Sequence, residues 1–132
     1  MSIFDHVSLT VRDFPRSREF YEKVLAPLGI QLMVEFDGVA GFGRGPKPGF
    51  WIGVGPASYQ KPEQLTTITP THIAFAARNR AEVDTFYAVA LAAGASDFGG
   101  PGLRPEYHPN YYGAFVLDFD GHNIEAVYHS PE

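Results

Sequence analysis

Three residues of this chain belong to the types that hold divalent metal ions, and two of them stand in equivalent places. His6 heads the segment His-Val-Ser-Leu-Thr-Val-Arg-Asp, and His72 heads His-Ile-Ala-Phe-Ala-Ala-Arg-Asn, 66 residues further on. The same offset carries Arg12 onto Arg78, Phe20-Tyr21 onto Phe86-Tyr87 and Leu25-Ala26 onto Leu91-Ala92. Self-similarity at a fixed spacing marks two copies of one unit. The third residue, Glu125, sits between Ile124 and Ala126 in an apolar strand pattern, where an unpaired carboxylate is costly. Two imidazoles and one carboxylate suit Fe, Mn, Ni, Co or Zn, with positions left open for water or substrate. A lone histidine at a strand start is more often structural than ligating. The repeated position and the buried-strand carboxylate together favour a metal site at His6, His72 and Glu125.

A second stretch carries chemistry of another kind. From Arg104 to Gly113 the chain reads Arg-Pro-Glu-Tyr-His-Pro-Asn-Tyr-Tyr-Gly. An imidazole titrates near neutral pH, so His108 is the natural candidate for proton transfer. The hydroxyls of Tyr111 and Tyr112 are candidates to hold an oxyanion. Strand alternation cannot place both tyrosines on one face. The competing reading is a solvent-exposed loop with tyrosines packed over a sheet edge. His122 and His129 read as a turn residue and a tail residue without a role. Trp51 and Phe50 stand between lining a cleft and filling the core, and strand aromatics favour the core.

These side chains need platforms. Residues 4–11 alternate, with Val7, Leu9 and Val11 on one face and His6, Ser8 and Thr10 on the other. Asp13 and Pro15 open a helix with Phe20, Tyr21, Val24, Leu25 and Leu28 at helical spacing, and Gly29 ends it. Strands are expected over Gln31–Phe36, Val39–Phe42 and Phe50–Val54. The second half repeats the order. It has a strand at His72–Ala77 and a helix capped by Asn79, with Val83, Phe86, Tyr87, Ala90 and Leu91 inward. Strands then follow at Tyr111–Leu117 and Asn123–Tyr128, after a Gly/Pro-rich loop over 99–110. Phe20, Tyr21, Phe86 and Tyr87 all read as core. An offset of 73 aligns the last strands of the two halves, setting Phe42 against Phe115, Trp51 against Ile124 and Ile52 against Glu125.

Size and composition bound the answer. The 132 residues read as one α+β domain. Module one covers about 1–55, a linker 56–70 and module two about 71–130. No apolar run reaches the roughly 18 residues of a membrane span. The N-terminus lacks the basic and apolar regions of a signal peptide. There are no cysteines, which excludes thiolate sites and fits a cytoplasmic protein. The net charge of −5, with scattered lysines and arginines, argues against nucleic acid or anionic membrane as a partner.

The opening segment with Phe20-Tyr21 resembles the first module of the vicinal oxygen chelate superfamily, the glyoxalase, bleomycin-resistance and extradiol-dioxygenase group. Phe115-Val-Leu-Asp-Phe-Asp-Gly-His-Asn-Ile-Glu125 resembles its closing signature, with Phe119 in place of the usual proline. The resemblance spans nearly the whole chain. It implies two tandem βαβββ modules cupped around one divalent metal ion that chelates two oxygens of a small-molecule substrate, with His6, His72 and Glu125 at the ligand positions. It further implies a homodimer, in which a site drawn from His6 of one chain and His72 and Glu125 of another is open. Glyoxalase I proteins usually carry a fourth ligand on the strand at Phe50–Val54. Here Ile52, or Trp51 after a slip of one residue, stands there, and neither ligates. The expected function is a metal-dependent lyase or isomerase. The alternatives are a drug- or toxin-sequestering protein and a small extradiol-type dioxygenase. Under the offset of 73, Ile52→Glu is expected to tighten metal binding.

Overall fold

The computed structural model describes residues 3–55, 61, 63 and 71–132. The expected linker at 56–70 lies outside the described residues except for Lys61 and Glu63. The first half runs β1 (Val7–Thr10), α1 (Phe14–Leu25), a 3₁₀ turn at Ala26–Leu28, β2 (Gln31–Phe36), β3 (Val39–Gly43) and β4 (Phe50–Gly53). The second runs β5 (His72–Ala76), α2 (Arg80–Ala92), β6 (Ser96–Asp97), β7 (Gly102–Leu103), β8 (Tyr112–Leu117) and β9 (Asn123–Tyr128). This is the α+β arrangement of two βαβββ modules. The loop expected over 99–110 contributes β7, which pairs with β8.

Each half builds its own mixed sheet, in the orders β1-β4-β3-β2 and β5-β9-β8-β6. The first strand runs parallel to the last in both, β1 with β4 and β5 with β9. Asp13 caps α1 by accepting from the Arg16 amide, and Asn79 caps α2 by accepting from the Glu82 amide. Gly29 closes the first helical segment in the left-handed region, at φ 75°.

One face of each sheet packs on its helix. Leu9, Ala40, Phe42, Phe50 and Ile52 bury against Phe20, Tyr21 and Val24 of α1, and Ala114, Val116, Ile124 and Ala126 bury with Val83, Phe86 and Ala90 of α2. Phe20, Tyr21 and Phe86 are core, as expected. Tyr87 is half-buried with its hydroxyl on Asp97 at 2.9 Å, and Leu91 is 37% exposed. The inward helix face is thus narrower than the apolar pattern suggested.

The strand register corrects the alignment of the two halves. Val7 pairs with Phe50 and Ser8 with Trp51, whereas Ile73 pairs with Ile124 and Ala74 with Glu125. The offset in the last strands is therefore 74. The twin of Glu125 is Trp51, and Phe42 matches Val116 instead of Phe115. Ile52 is 1% exposed in the core beneath α1, so a glutamate there would meet apolar side chains and no metal. Phe50 is core at 3% exposed. Trp51, one residue on, faces the other way and is half-buried on the open face.

The halves are joined by the β8–β9 turn docked on α1. Tyr21 donates its buried hydroxyl to Asp118 Oδ2, which also receives His122 Nδ1 at 2.7 Å. Asp118 Oδ1 accepts the amides of Asp120 and His122, both at 2.9 Å. Phe119 packs on Phe20 at 5.0 Å between ring centroids, beneath the Arg16 guanidinium at 3.7 Å. His122 does lie in the turn, but it is 2% exposed and ties the turn together. Burial raises the Asp118 carboxyl, yet the hydrogen bonds from His122 and Tyr21 prevail and hold it below its ordinary value. A lowered native pKa contributes stability that is present at neutral pH and lost as pH falls through it. Asp118→Asn should therefore cost roughly 1–3 kcal/mol near pH 7. That deficit should narrow below about pH 4. Urea unfolding of wild type and variant across pH checks this, and a deficit constant into acid would contradict it.

Candidate metal centre

Glu125 reaches its site because β9 alternates. Ile124 and Ala126 point to the helix, so Glu125 points to the open face, and it is fully buried there. Its carboxylate fits because Gly113, on the neighbouring strand, has no side chain. A Cβ on Gly113 would stand 2.9 Å from Glu125 Oε2. Both carboxylate oxygens are engaged. Tyr111 donates its hydroxyl to Oε2, and His72 Nε2 lies 2.9 Å from Oε1.

The His72 contact carries a further implication. Nδ1 of His72 sits 3.2 Å from the carbonyl oxygen of Asn123, which can only accept. The Nδ1 proton is therefore committed to that carbonyl, and a neutral ring presents a lone pair at Nε2. A lone pair facing a carboxylate oxygen at 2.9 Å needs a cation between them, either a second ring proton or a metal ion. Two ligand atoms bonded to one ion at about 2.1 Å and near right angles lie about 3 Å apart. The donor set and spacing fit a divalent metal. Stacking on Phe115, at 6.0 Å and 24° between planes, further orients the His72 ring.

His6 precedes β1 on the other sheet. Its Nδ1 donates to Asp5 Oδ1 at 2.7 Å, and Asp5 also pairs with Lys47. Lys47 and His6 together hold the Asp5 carboxyl below its ordinary value. Both histidines thus have Nδ1 anchored by an acceptor, the outer-shell arrangement typical of metal-bound imidazoles. Within one chain, however, the ligand atoms of His6, His72 and Glu125 do not lie within 4.8 Å of one another. Among the described residues only Asp118, Asp120 and His122 form such a trio. There both Asp118 oxygens are filled by the hydrogen bonds of the turn, which leaves little for an ion.

The aromatic cluster beyond Glu125 divides the other predicted residues. Tyr111 lies at the centre, its ring in edge contact with Tyr107, His108 and His129 at 4.8, 5.5 and 5.1 Å. Burial, and then the Glu125 carboxylate, push its hydroxyl far above the ordinary tyrosine value, so it is a fixed donor. Tyr112 turns to the helix face and donates to Asp84 at 2.6 Å, away from Glu125. His108 Nδ1 accepts the Asn110 amide at 3.1 Å, so a neutral ring carries its proton on Nε2 and donates to His129 Nδ1 at 2.7 Å. The sequence reading gave His129 no part in this cluster. Its distance of four residues from Glu125 on the same strand run was the available signal.

Removing the Tyr111 hydroxyl frees Glu125 Oε2 while keeping the ring. Tyr111→Phe should weaken divalent-metal binding about 10- to 100-fold, as loss of outer-shell partners does, with the fold intact by circular dichroism. Calorimetric titration measures it, and unchanged affinity would show that Tyr111 does not position Glu125.

The family model described as the glyoxalase/bleomycin resistance protein/dioxygenase superfamily matches residues 3–126. No protein of curated function matches the sequence. Among solved structures, a glyoxalase/bleomycin resistance protein from Albidiferax ferrireducens T118 is 28% identical, with TM-score 0.78, covering 98% of this chain and 100% of that one. TioX from Micromonospora sp. ML1 superposes with TM-score 0.69 at 17% identity, over 98% of this chain and 100% of that one. A point mutant of the fosfomycin resistance protein FosX from Listeria monocytogenes, complexed with Mn(II) and 1S,2S-dihydroxypropylphosphonic acid, superposes with TM-score 0.64 at 20% identity, over 96% of this chain and 90% of that one. With its two βαβββ modules and a family match across nearly its whole length, this chain belongs to the glyoxalase/bleomycin resistance protein/dioxygenase superfamily.

Proposed function

We propose that this protein is a metal-dependent enzyme acting on a small oxygenated molecule, of the lyase or isomerase type, with His6, His72 and Glu125 holding one divalent ion. The observation that carries the proposal is the pair His72 Nε2 and Glu125 Oε1, held 2.9 Å apart at a fully buried carboxylate while His72 Nδ1 faces the Asn123 carbonyl. Such an arrangement is costly without a cation. A bound ion supplies Lewis-acid polarisation of substrate oxygens. The chain's own groups do the rest. Asn123 and Asp5 fix the ring tautomers of His72 and His6. Tyr111 holds Glu125 in place, and the His108 Nε2 proton, shared with His129, is the one available for transfer.

The complete site is proposed to form in a cytoplasmic homodimer. Among the described residues β1 pairs only with β4 and β5 only with β9, and beside them lies a cavity of about 530 Å³ lined by Phe4, Asp5, Lys47, His72 and Phe75 among others. Unpaired edges invite strand pairing with a second copy. That arrangement supplies His6 from one chain to His72 and Glu125 of the other. A sequestering protein is the second reading, favoured by the half-buried Trp51 on the open face.

Elemental analysis of purified protein, with titration of Mn, Fe, Co, Ni and Zn, tests the metal. Wild type should bind one ion per site, and His72→Ala and Glu125→Gln should lose it. No uptake of any of these ions leaves only the sequestering reading. Co-expression of His6→Ala and Glu125→Ala chains tests the shared site. Each variant alone should bind no metal, while the mixed dimer should regain one ion for two chains. No regain would overturn the shared site.

A further inference from the structure

The register that makes Trp51 the twin of Glu125 also gives it a distinct setting. On the second sheet this position carries a buried carboxylate beside Gly113. On the first it carries the protein's sole tryptophan beside Gly41. The indole lies over that glycine. A Cβ on Gly41 would stand 2.9 Å from Trp51 Cη2 and Cζ3 and 3.0 Å from Pro48 Cβ. The missing side chain lets the indole settle onto the strand, and Pro48 confines it on another side. Met33 lies against Gly43 in the same way, and the register sets Phe36 opposite Val39 on the same face. Within β1 to β4 the only charged residue is Glu35. It turns to the helix side, where Arg18 lies 3.7 Å away. Among the strand residues of the first sheet, the open face therefore carries no acidic or basic side chain, with Ser8 beside Trp51 and a half-buried indole at the place where the second sheet presents its carboxylate.

We propose that Trp51 is the specificity-determining platform of the site, stacking a planar aromatic or conjugated ring of the same small molecule whose oxygens engage the His72–Glu125 end. The inference rests on the metal-site reading above and adds the chemical class of the substrate's body. An indole held flat by a proline and a glycine prefers a ring offset on its face to an aliphatic group of equal size. It offers nothing specific to a phosphate or to a short sugar-like chain. The occupant is a ligand ring and not a second copy of the protein, because the platform position is the repeat partner of a ligand position and its setting is built by glycine at the strand.

Hydroxamates test this, since they present one chelating head with interchangeable bodies. Titration of Zn(II)-loaded protein with benzohydroxamate and cyclohexanecarbohydroxamate, read by calorimetry, should give a planar preference of roughly two- to tenfold. Trp51→Leu should abolish the preference and Trp51→Phe should retain part of it, with both variants checked for fold and for unchanged Zn(II) affinity. Equal affinities in wild type, or a preference that survives Trp51→Leu, overturn the platform while leaving the metal site standing. If neither hydroxamate binds because no metal is held, the metal reading fails and metal-free protein decides. Saturable quenching of Trp51 fluorescence by benzamide supports the platform, and absence of quenching overturns it. Loss of acrylamide access to Trp51 on dimerisation would show the indole covered by the second copy, and would overturn it as well.

Discussion

A carboxylate that is fully removed from solvent must be given partners, and Glu125 imposes that demand on everything around it. Burying an ionised group without compensation is costly enough that the fold would expel it or neutralise it. The chain answers from three directions. Gly113 makes room, Tyr111 donates to one oxygen, and His72 faces the other. Asn123 then fixes the histidine, so the accommodation extends to backbone. Each partner lies on a different element, β8, the segment just before it, β5 or β9. None can shift without exposing the carboxylate to an apolar neighbour. The Tyr111 hydroxyl, held protonated by burial and by the Glu125 charge, removes one way of relieving the site. The remaining relief is a cation between Oε1 and His72.

The turn that precedes β9 makes this placement reproducible. Side chains alternate with a period of two, so a slip of one residue would swing Glu125 into the helix-packed core and bring Ile124 or Ala126 to the open face. Asp118 blocks that slip. It binds the amides of Asp120 and His122 within the turn and reaches Tyr21 on α1 of the other module. A buried aspartate with both oxygens satisfied specifies a single arrangement more sharply than apolar packing alone. The same turn ties the two modules together beside the Phe50–Phe75 ring contact and the Arg44–Ala76 hydrogen bond, so one buried aspartate serves both the packing of the modules and the direction of the key carboxylate.

Most of the architecture was legible because its signals are local. Strand alternation at 4–11, the Asp13 and Asn79 caps, and Gly29 after the last apolar turn each act within a few residues, and the elements lie where those signals put them. What failed was long-range or a matter of one residue. An alignment offset of 73 and one of 74 both match apolar to apolar in β4 and β9, since both strands are apolar nearly throughout. Only hydrogen-bond register separates Ile52 in the core from Trp51 on the open face. Tyr87 and Leu91 were placed inward because helical spacing marks an apolar stripe without marking its edges. His122 and His129 carried no local sign of their partners. Asp118 meets His122 across a turn, and His108 meets His129 between the loop and the tail. Glu125 could be suspected from its apolar neighbours, whereas Tyr111 could be chosen over Tyr112 only once β8 had a defined face.

The difference between the twin positions has an energetic logic. A second carboxylate at residue 51 would add a second desolvated anion to the site, and like charges near one another raise the cost of ionising both. Such a site is dependent on its ion, because without it two buried carboxylates have no compensating charge. Tryptophan lessens that dependence. It covers Gly41 with apolar surface and leaves a single carboxylate, held by Tyr111 at one oxygen and facing His72 with the other. The duplicated unit has thereby divided its labour, with a buried carboxylate on the second sheet and an indole at the matching place on the first. A ligand that uses both must have two unlike ends, one of which offers oxygen and the other a ring. In the proposed site, affinity for the oxygen end is set by the ion and its ligands. Choice among molecules sharing that end falls to the surface that no ligand residue occupies, and the largest side chain at its centre is Trp51.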